Sequence, residues 1–158
     1  IPAGFSEPYI SVDEENIFMT FVYYPELYVF TKDFKAKYKF DLTELGNLSV
    51  ESTNYQFNQS KRSVGVKKII AGIHVIDSRI FIAHNSLERI IIDEYRLTDA
   101  ELRLVHTFTS KYEGEINGED DNYMALIDFK FNPSTNSFWV LEIATGLAPY
   151  LVEYSINE

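Results

Sequence analysis

Three histidines and a scatter of carboxylates are the residues of this sequence best suited to catalysis or metal binding. His74, His84 and His106 belong to the one side-chain type that titrates near neutral pH, and imidazoles ligate metals when they converge with Asp or Glu. Their spacing gives neither an HxH pair nor an HExxH helix motif, the arrangements that bring two imidazoles to one ion from a single element. They therefore read as surface or hydrogen-bonded core histidines, with no metal ligand and no catalytic residue assigned. Ser and Thr lie outside any GxSxG elbow, and no Gly-rich phosphate loop is present, so nucleophilic and phosphoryl chemistry have no motif to stand on.

The acidic run Glu119, Asp120, Asp121, Asn122, with Glu115 and Asn117 nearby, offers oxygen atoms to a hard cation such as calcium. It lacks the D-x-[DN]-x-[DN]-G order that wraps alternating ligands around one ion. The reading is a solvated loop, with Asp120, Asp121 and Asn122 kept as candidate binding residues. No cofactor is expected. Closely spaced aromatics at Tyr23, Tyr24, Tyr28 and Phe30, around Pro25, combine flat apolar faces with polar tips and suit a sugar or peptide platform. Core packing competes for the same residues, and Tyr24, Pro25 and Tyr28 are the platform's best candidates.

Strands must position these groups. Lys35, Lys37 and Lys39 alternate with Ala36, Tyr38, Phe40 and Leu42, the period of two of a strand with one wet face. In "ELRLVHTF" the same period puts Leu102, Leu104, His106 and Phe108 on one face. "NIFMTFVYY" and "KKIIAGIHVI" read as strands covered on both faces. Only "LTDAELRLV" offers a short helix, which the alternation after it outweighs. Aligning Ile10 with Ile73 superposes Ile17-Phe18 on Ile80-Phe81, each after a polar turn. A third stretch, from Ile127 through Trp139, repeats the plan. Antiparallel meander units are thus expected at about 8-42, 68-108 and 124-156, within one all-β domain spanning 1-158. Polar connections, roughly 43-67 and 109-123, separate them.

Composition sets the context. A hydrophobic share of 46%, with 12 Phe and 11 Tyr, supplies ample area for a core. The net charge of -10 disfavours nucleic acid and anionic membrane, which need clustered Lys and Arg; Lys61-Arg62 and Lys67-Lys68 read as solvated loop flanks. The absence of cysteine excludes disulfides. No apolar run approaches the ~18 residues of a transmembrane helix. The start Ile1-Pro2-Ala3-Gly4 reads as that of a processed or excised product. Asn47-Leu48-Ser49 and Asn58-Gln59-Ser60 match the glycosylation sequon.

The segments Ile10 to Phe18, Ile73 to Phe81 and Ile127 to Trp139, each hydrophobic strand, turn and Ile-Phe-type strand, resemble blades of six-bladed β-propellers. The likeness is to the NHL and TolB-like type, including the propeller-like lipoproteins of gut Bacteroidetes. It implies a β-propeller-like fragment or half-propeller, with a β-sandwich or barrel as the alternative. Some propellers of this kind are metal-dependent hydrolases or lactonases with a channel metal held by Glu, Asn and Asp; by that resemblance Asp77, Asp128 and Glu142 are the positions to watch. Propellers close with about four to eight blades. Three units therefore imply a longer parent chain or a homodimer completing the ring. The function expected is a noncatalytic recognition or scaffold module, extracytoplasmic (periplasmic or cell-surface), binding a protein or glycan through blade-end loops; a structural assembly module is the further alternative.

Overall fold

Alternation of apolar and polar residues, broken by short polar turns, organises the described residues into strands. The computed structural model describes residues 7–45, 48, 56–58, 63–65, 69–86, 89–112, 124–144 and 148–156. Among these described residues thirteen strands run in order: β1 (Pro8–Val12), β2 (Asn16–Phe21), β3 (Tyr24–Thr31), β4 (Ala36–Asp41), β5 (Gln56–Asn58), β6 (Ser63–Gly65), β7 (Ile70–Ile76), β8 (Arg79–His84), β9 (Ile90–Thr98), β10 (Glu101–Ser110), β11 (Met124–Asn132), β12 (Ser137–Ala144) and β13 (Tyr150–Ser155). The protein is all-β among its described residues, and the segment around Asp99 is a strand-to-strand turn rather than a helix start.

Three antiparallel meanders follow in sequence: a first sheet β1-β2-β3-β4, a second β7-β8-β9-β10 and a third β11-β12-β13. They coincide with the three units expected from the repeat. The connection at 43-67 is not wholly loop, since β5 and β6 form a small hairpin within it. Two-residue turns close β7–β8 and β9–β10, and in each both residues have positive φ, Asp77 and Ser78 in one, Asp99 and Ala100 in the other. This left-handed pairing matches the right-handed twist of the strands it joins.

The second sheet is the middle layer. Ile73, Val75, Ile80 and Ile82 point from it into a core shared with Phe18, Leu27 and Val29 of the first sheet. Phe81, Ala83, Ile90 and Ile92 point the other way, into a core with Phe129, Phe131, Phe138 and Val140 of the third. Each such Val, Ile, Leu or Phe side chain contributes roughly 1.5–3 kcal/mol when fully buried. Gly72 lets the second and third sheets approach: a Cβ there would sit 3.2 Å from the Phe129 ring.

Two expected patterns are corrected. A bulge between Leu104 and His106 in β10 flips the alternation, because an inserted residue reverses the faces beyond it. Leu102 and Leu104 therefore join the core with the first sheet, whereas Phe108 joins the core with the third, and His106 is exposed. β7 is covered on both faces as expected; β2 is not. Asn16, Phe18 and Thr20 are buried, and Ile17, Met19 and Phe21 line a half-exposed outer face.

Strand pairing fixes which positions are equivalent. Val12 pairs Ile17, Val75 pairs Ile80 and Phe131 pairs Phe138, while Phe18, Phe81 and Trp139 follow as the next residues of β2, β8 and β12. The first strands of neighbouring sheets are linked at matching places. The Val75 N–H donates to Ser11 Oγ at 2.9 Å, and the Phe131 N–H donates to His74 Nδ1 at 2.9 Å. Ser11 and His74 are equivalent, as are Val75 and Phe131.

Candidate functional site

Buried polar groups come first, because burial without a partner is costly and marks either structure or chemistry. His84 and Asp93 are 8% and 0% exposed, on adjacent strands β8 and β9, with Nε2 2.8 Å from Oδ2. Tyr95 donates to the same Asp93 oxygen at 3.2 Å and Thr107 to the other at 2.6 Å. Burial pushes the Asp93 carboxyl up, but the hydrogen bonds from His84 and Thr107 and the charge of His84 outweigh it, leaving it below the ordinary range. Burial, with Asp93 beside it, raises the Tyr95 phenol. The carboxylate has donors on both oxygens, so this network fastens β8, β9 and β10 together.

His74, Arg79 and Glu142 are likewise committed to packing. Burial lowers the His74 pKa, aided by Lys130 and opposed by Asp128; a neutral ring is what its acceptor role toward Phe131 requires. Arg79 makes a two-pronged pair with Glu94, at 2.8 and 2.9 Å, and its guanidinium lies 4.3 Å from the Phe131 ring centroid. The exposed His106 ring lies tilted against Phe108, with ring centroids 4.4 Å apart. Glu142 is fully buried and accepts a hydrogen bond from Tyr154, whereas Asp77 and Asp128 are exposed. Among the described residues no group of three or more His, Asp or Glu side chains converges as metal ligands do. Asp120, Asp121 and Asn122 lie outside the described residues.

A crevice of about 640 Å³ opens at the turns between the first and second sheets, bordered by Asp13, Glu14, Asp77, Asp99 and Lys37. Asp13 is occupied by its own turn, accepting from the Glu15 and Asn16 N–H groups at 2.8 and 2.7 Å. This acidic rim reads as a solvated strand end.

The outer face of the first sheet differs in kind. Phe21 meets Tyr24 edge-on at 6.4 Å and Tyr28 at 5.7 Å, and Tyr28 stacks on Phe30 at 6.4 Å. None of these rings belongs to either core. The Lys39 ammonium lies 5.5 Å from the Tyr28 ring and pairs with Glu26 at 2.7 Å. Tyr28 donates to Glu26 at 2.5 Å, a bond that raises its own pKa. Tyr24 and Tyr28, expected as binding residues, thus sit together on one half-exposed surface. Pro25, next to Tyr24, is half-buried, and its carbonyl accepts from the Leu42 N–H at 2.8 Å.

No known protein family, curated protein or solved structure matches this chain. The site stands on its own geometry.

Beside the rings, Ile10 and Val12 of β1 are 58% and 50% exposed. At the far side of the array, Trp139 and Leu151 of the third sheet are 36% and 59% exposed. Sequence reasoning did not single out Ile10, Val12 or Leu151. The usable signal was the repeat itself, since their equivalents Ile73, Val75 and Ile92 are buried.

Proposed function

We propose that this protein is a noncatalytic recognition module whose binding surface is the outer face of the first sheet. The observation that carries the reading is the contiguous surface of Phe21, Tyr24, Tyr28 and Phe30 beside exposed Ile10 and Val12. Contiguous apolar surface of this sort marks an interaction site, and rigid aromatics give contact area at small entropic cost. The His84–Asp93 network, the Arg79–Glu94 pair and His74 all hold the sheets in place, which supports a scaffold over a reaction centre. Recognition then rests on a strand face rather than on the loops at strand ends. The mainly apolar surface, with one Lys39–Glu26 pair at its border, favours a protein partner over a glycan. The side-by-side first strands suit the propeller-type array that the sequence resembles.

The test is an NMR titration of labelled protein with a neutral hexasaccharide and, separately, with a decapeptide of alternating Val and Thr. Peptide-induced shifts confined to Ile10, Val12, Phe21, Tyr24 and Tyr28 are expected. Saccharide binding there would exchange the partner class, and shifts centred on Asp13, Asp77 and Asp99 would overturn the proposed surface.

A further inference from the structure

The repeat lets exposed strand positions be compared with their copies in the other sheets. Ile10 is equivalent to Ile73 and Phe129, which are 5% and 2% exposed, and Val12 to Val75 and Phe131, at 6% and 4%. Trp139 is equivalent to Phe18 and Phe81, both at 2% or less, and Leu151 to Leu27 and Ile92, both at 0%. The faces are also of two complementary kinds. At each internal junction the Phe18 or Phe81 face of one sheet receives the Val75 or Phe131 face of the next. Among the described residues one face of each kind stays exposed: Ile10 and Val12 on the first sheet, Trp139 and Leu151 on the third.

We infer that the outer face of the first sheet docks onto the outer face of the third sheet of a second copy of this chain. The partner is thus identified by chemistry already present at two internal junctions, where the same pair of faces meets. Because the two faces differ, the contact is head-to-tail, and a two-fold arrangement makes it twice in a closed six-sheet dimer. Phe21, Tyr24 and Tyr28, beside Ile10 and Val12, widen the first-sheet half of the contact. This inference rests on the recognition reading above and names its partner.

The experiment is light scattering of the full chain across a dilution series, with Val12→Glu and Leu151→Glu as face variants. Both positions are exposed, so unchanged circular dichroism and unfolding midpoint are required controls. The expected result is a concentration-dependent dimer, weakened about tenfold or more by either change, since an unpaired carboxylate in the contact costs well over the 1.4 kcal/mol of one decade. A mixture of the two variants should recover association, because one unaltered first-sheet face then meets one unaltered third-sheet face. A monomer at every concentration overturns the inference, as does a dimer broken by only one variant, which would mean a like-with-like contact. If the wild type is monomeric while the decapeptide still shifts Val12 and Tyr28, the recognition reading stands and only the second copy falls.

Discussion

Phe81 and Trp139 occupy the same place in successive sheets, one with 0% and the other with 36% of its surface exposed. Both are large aromatics on the second strand of a meander, and both follow a residue that faces the preceding sheet. What differs is whether a sheet lies beyond. Local pattern therefore dictates that an aromatic stands at this position, and the neighbouring layer alone decides whether it is core or surface. The same contrast separates Val75 from Val12 at the other end of the array.

The largest expected effect is on the buried side of that comparison. Phe81→Ala should cost about 3–5 kcal/mol, from lost transfer energy and the cavity left between the second and third sheets. Trp139→Ala in the dilute, unassociated chain should cost under about 1 kcal/mol, in the range of ordinary surface changes. Urea unfolding of the two variants reads the difference, and equal costs would erase the distinction between the positions.

Within the middle sheet, Asp93→Ala leaves His84, Tyr95 and Thr107 without their shared acceptor and should cost about 3–5 kcal/mol. Because the Asp93 pKa is lowered on folding, its contribution is complete above the unfolded Asp value of about 4 and is lost as pH falls through the lower native value. The Asp93→Ala chain should accordingly show a shallower loss of stability in acid.

Smaller effects are expected at the links between first strands. His74→Ala removes the acceptor of the Phe131 N–H and should cost about 1–3 kcal/mol. The His74 pKa is depressed on folding, so the wild type should lose stability as pH falls below the unfolded His value of about 6.5, and the variant should lose part of that slope. A pH series of unfolding midpoints checks both points.

The smallest effect concerns the place where the repeat departs from itself. Ser11 and His74 accept a hydrogen bond from the next sheet, but the equivalent residue of the third sheet is Lys130, whose ammonium only donates. A copy docking there lacks that link. Lys130→Ser should tighten association of copies by about 0.5–1.5 kcal/mol, read as a lower dissociation constant, whereas weaker association would place the contact elsewhere.

Much of the fold was legible because period-two alternation and polar turns are local signals. The three meanders, and the strand beginning at Glu101, follow from them directly. The bulge at Leu104/His106 was not legible, since nothing in "ELRLVHTF" distinguishes a continuous strand from one with an inserted residue. The sequence left His84 open between a surface and a hydrogen-bonded core histidine, and its partner Asp93 reads in sequence like any strand carboxylate; pairing across β8 and β9 brings the two together. Tyr24 and Tyr28 stood out in sequence by aromatic density, and they share one half-exposed surface. Ile10, Val12 and Leu151 did not stand out, because an apolar residue on a strand looks the same whether or not another layer covers it.

Trp139 is the one tryptophan of the chain and lies on the third sheet's open face, so its fluorescence reports that face directly. The most direct measurement is the Trp139 emission maximum and iodide quenching over a dilution series. The account predicts blue-shifted, protected emission at high concentration that becomes red-shifted and quenchable on dilution, and a Val12→Glu chain that is red-shifted throughout. Emission that is blue-shifted and protected at every concentration, in the wild type and in Val12→Glu alike, would contradict it, because Trp139 would then be covered within the single chain.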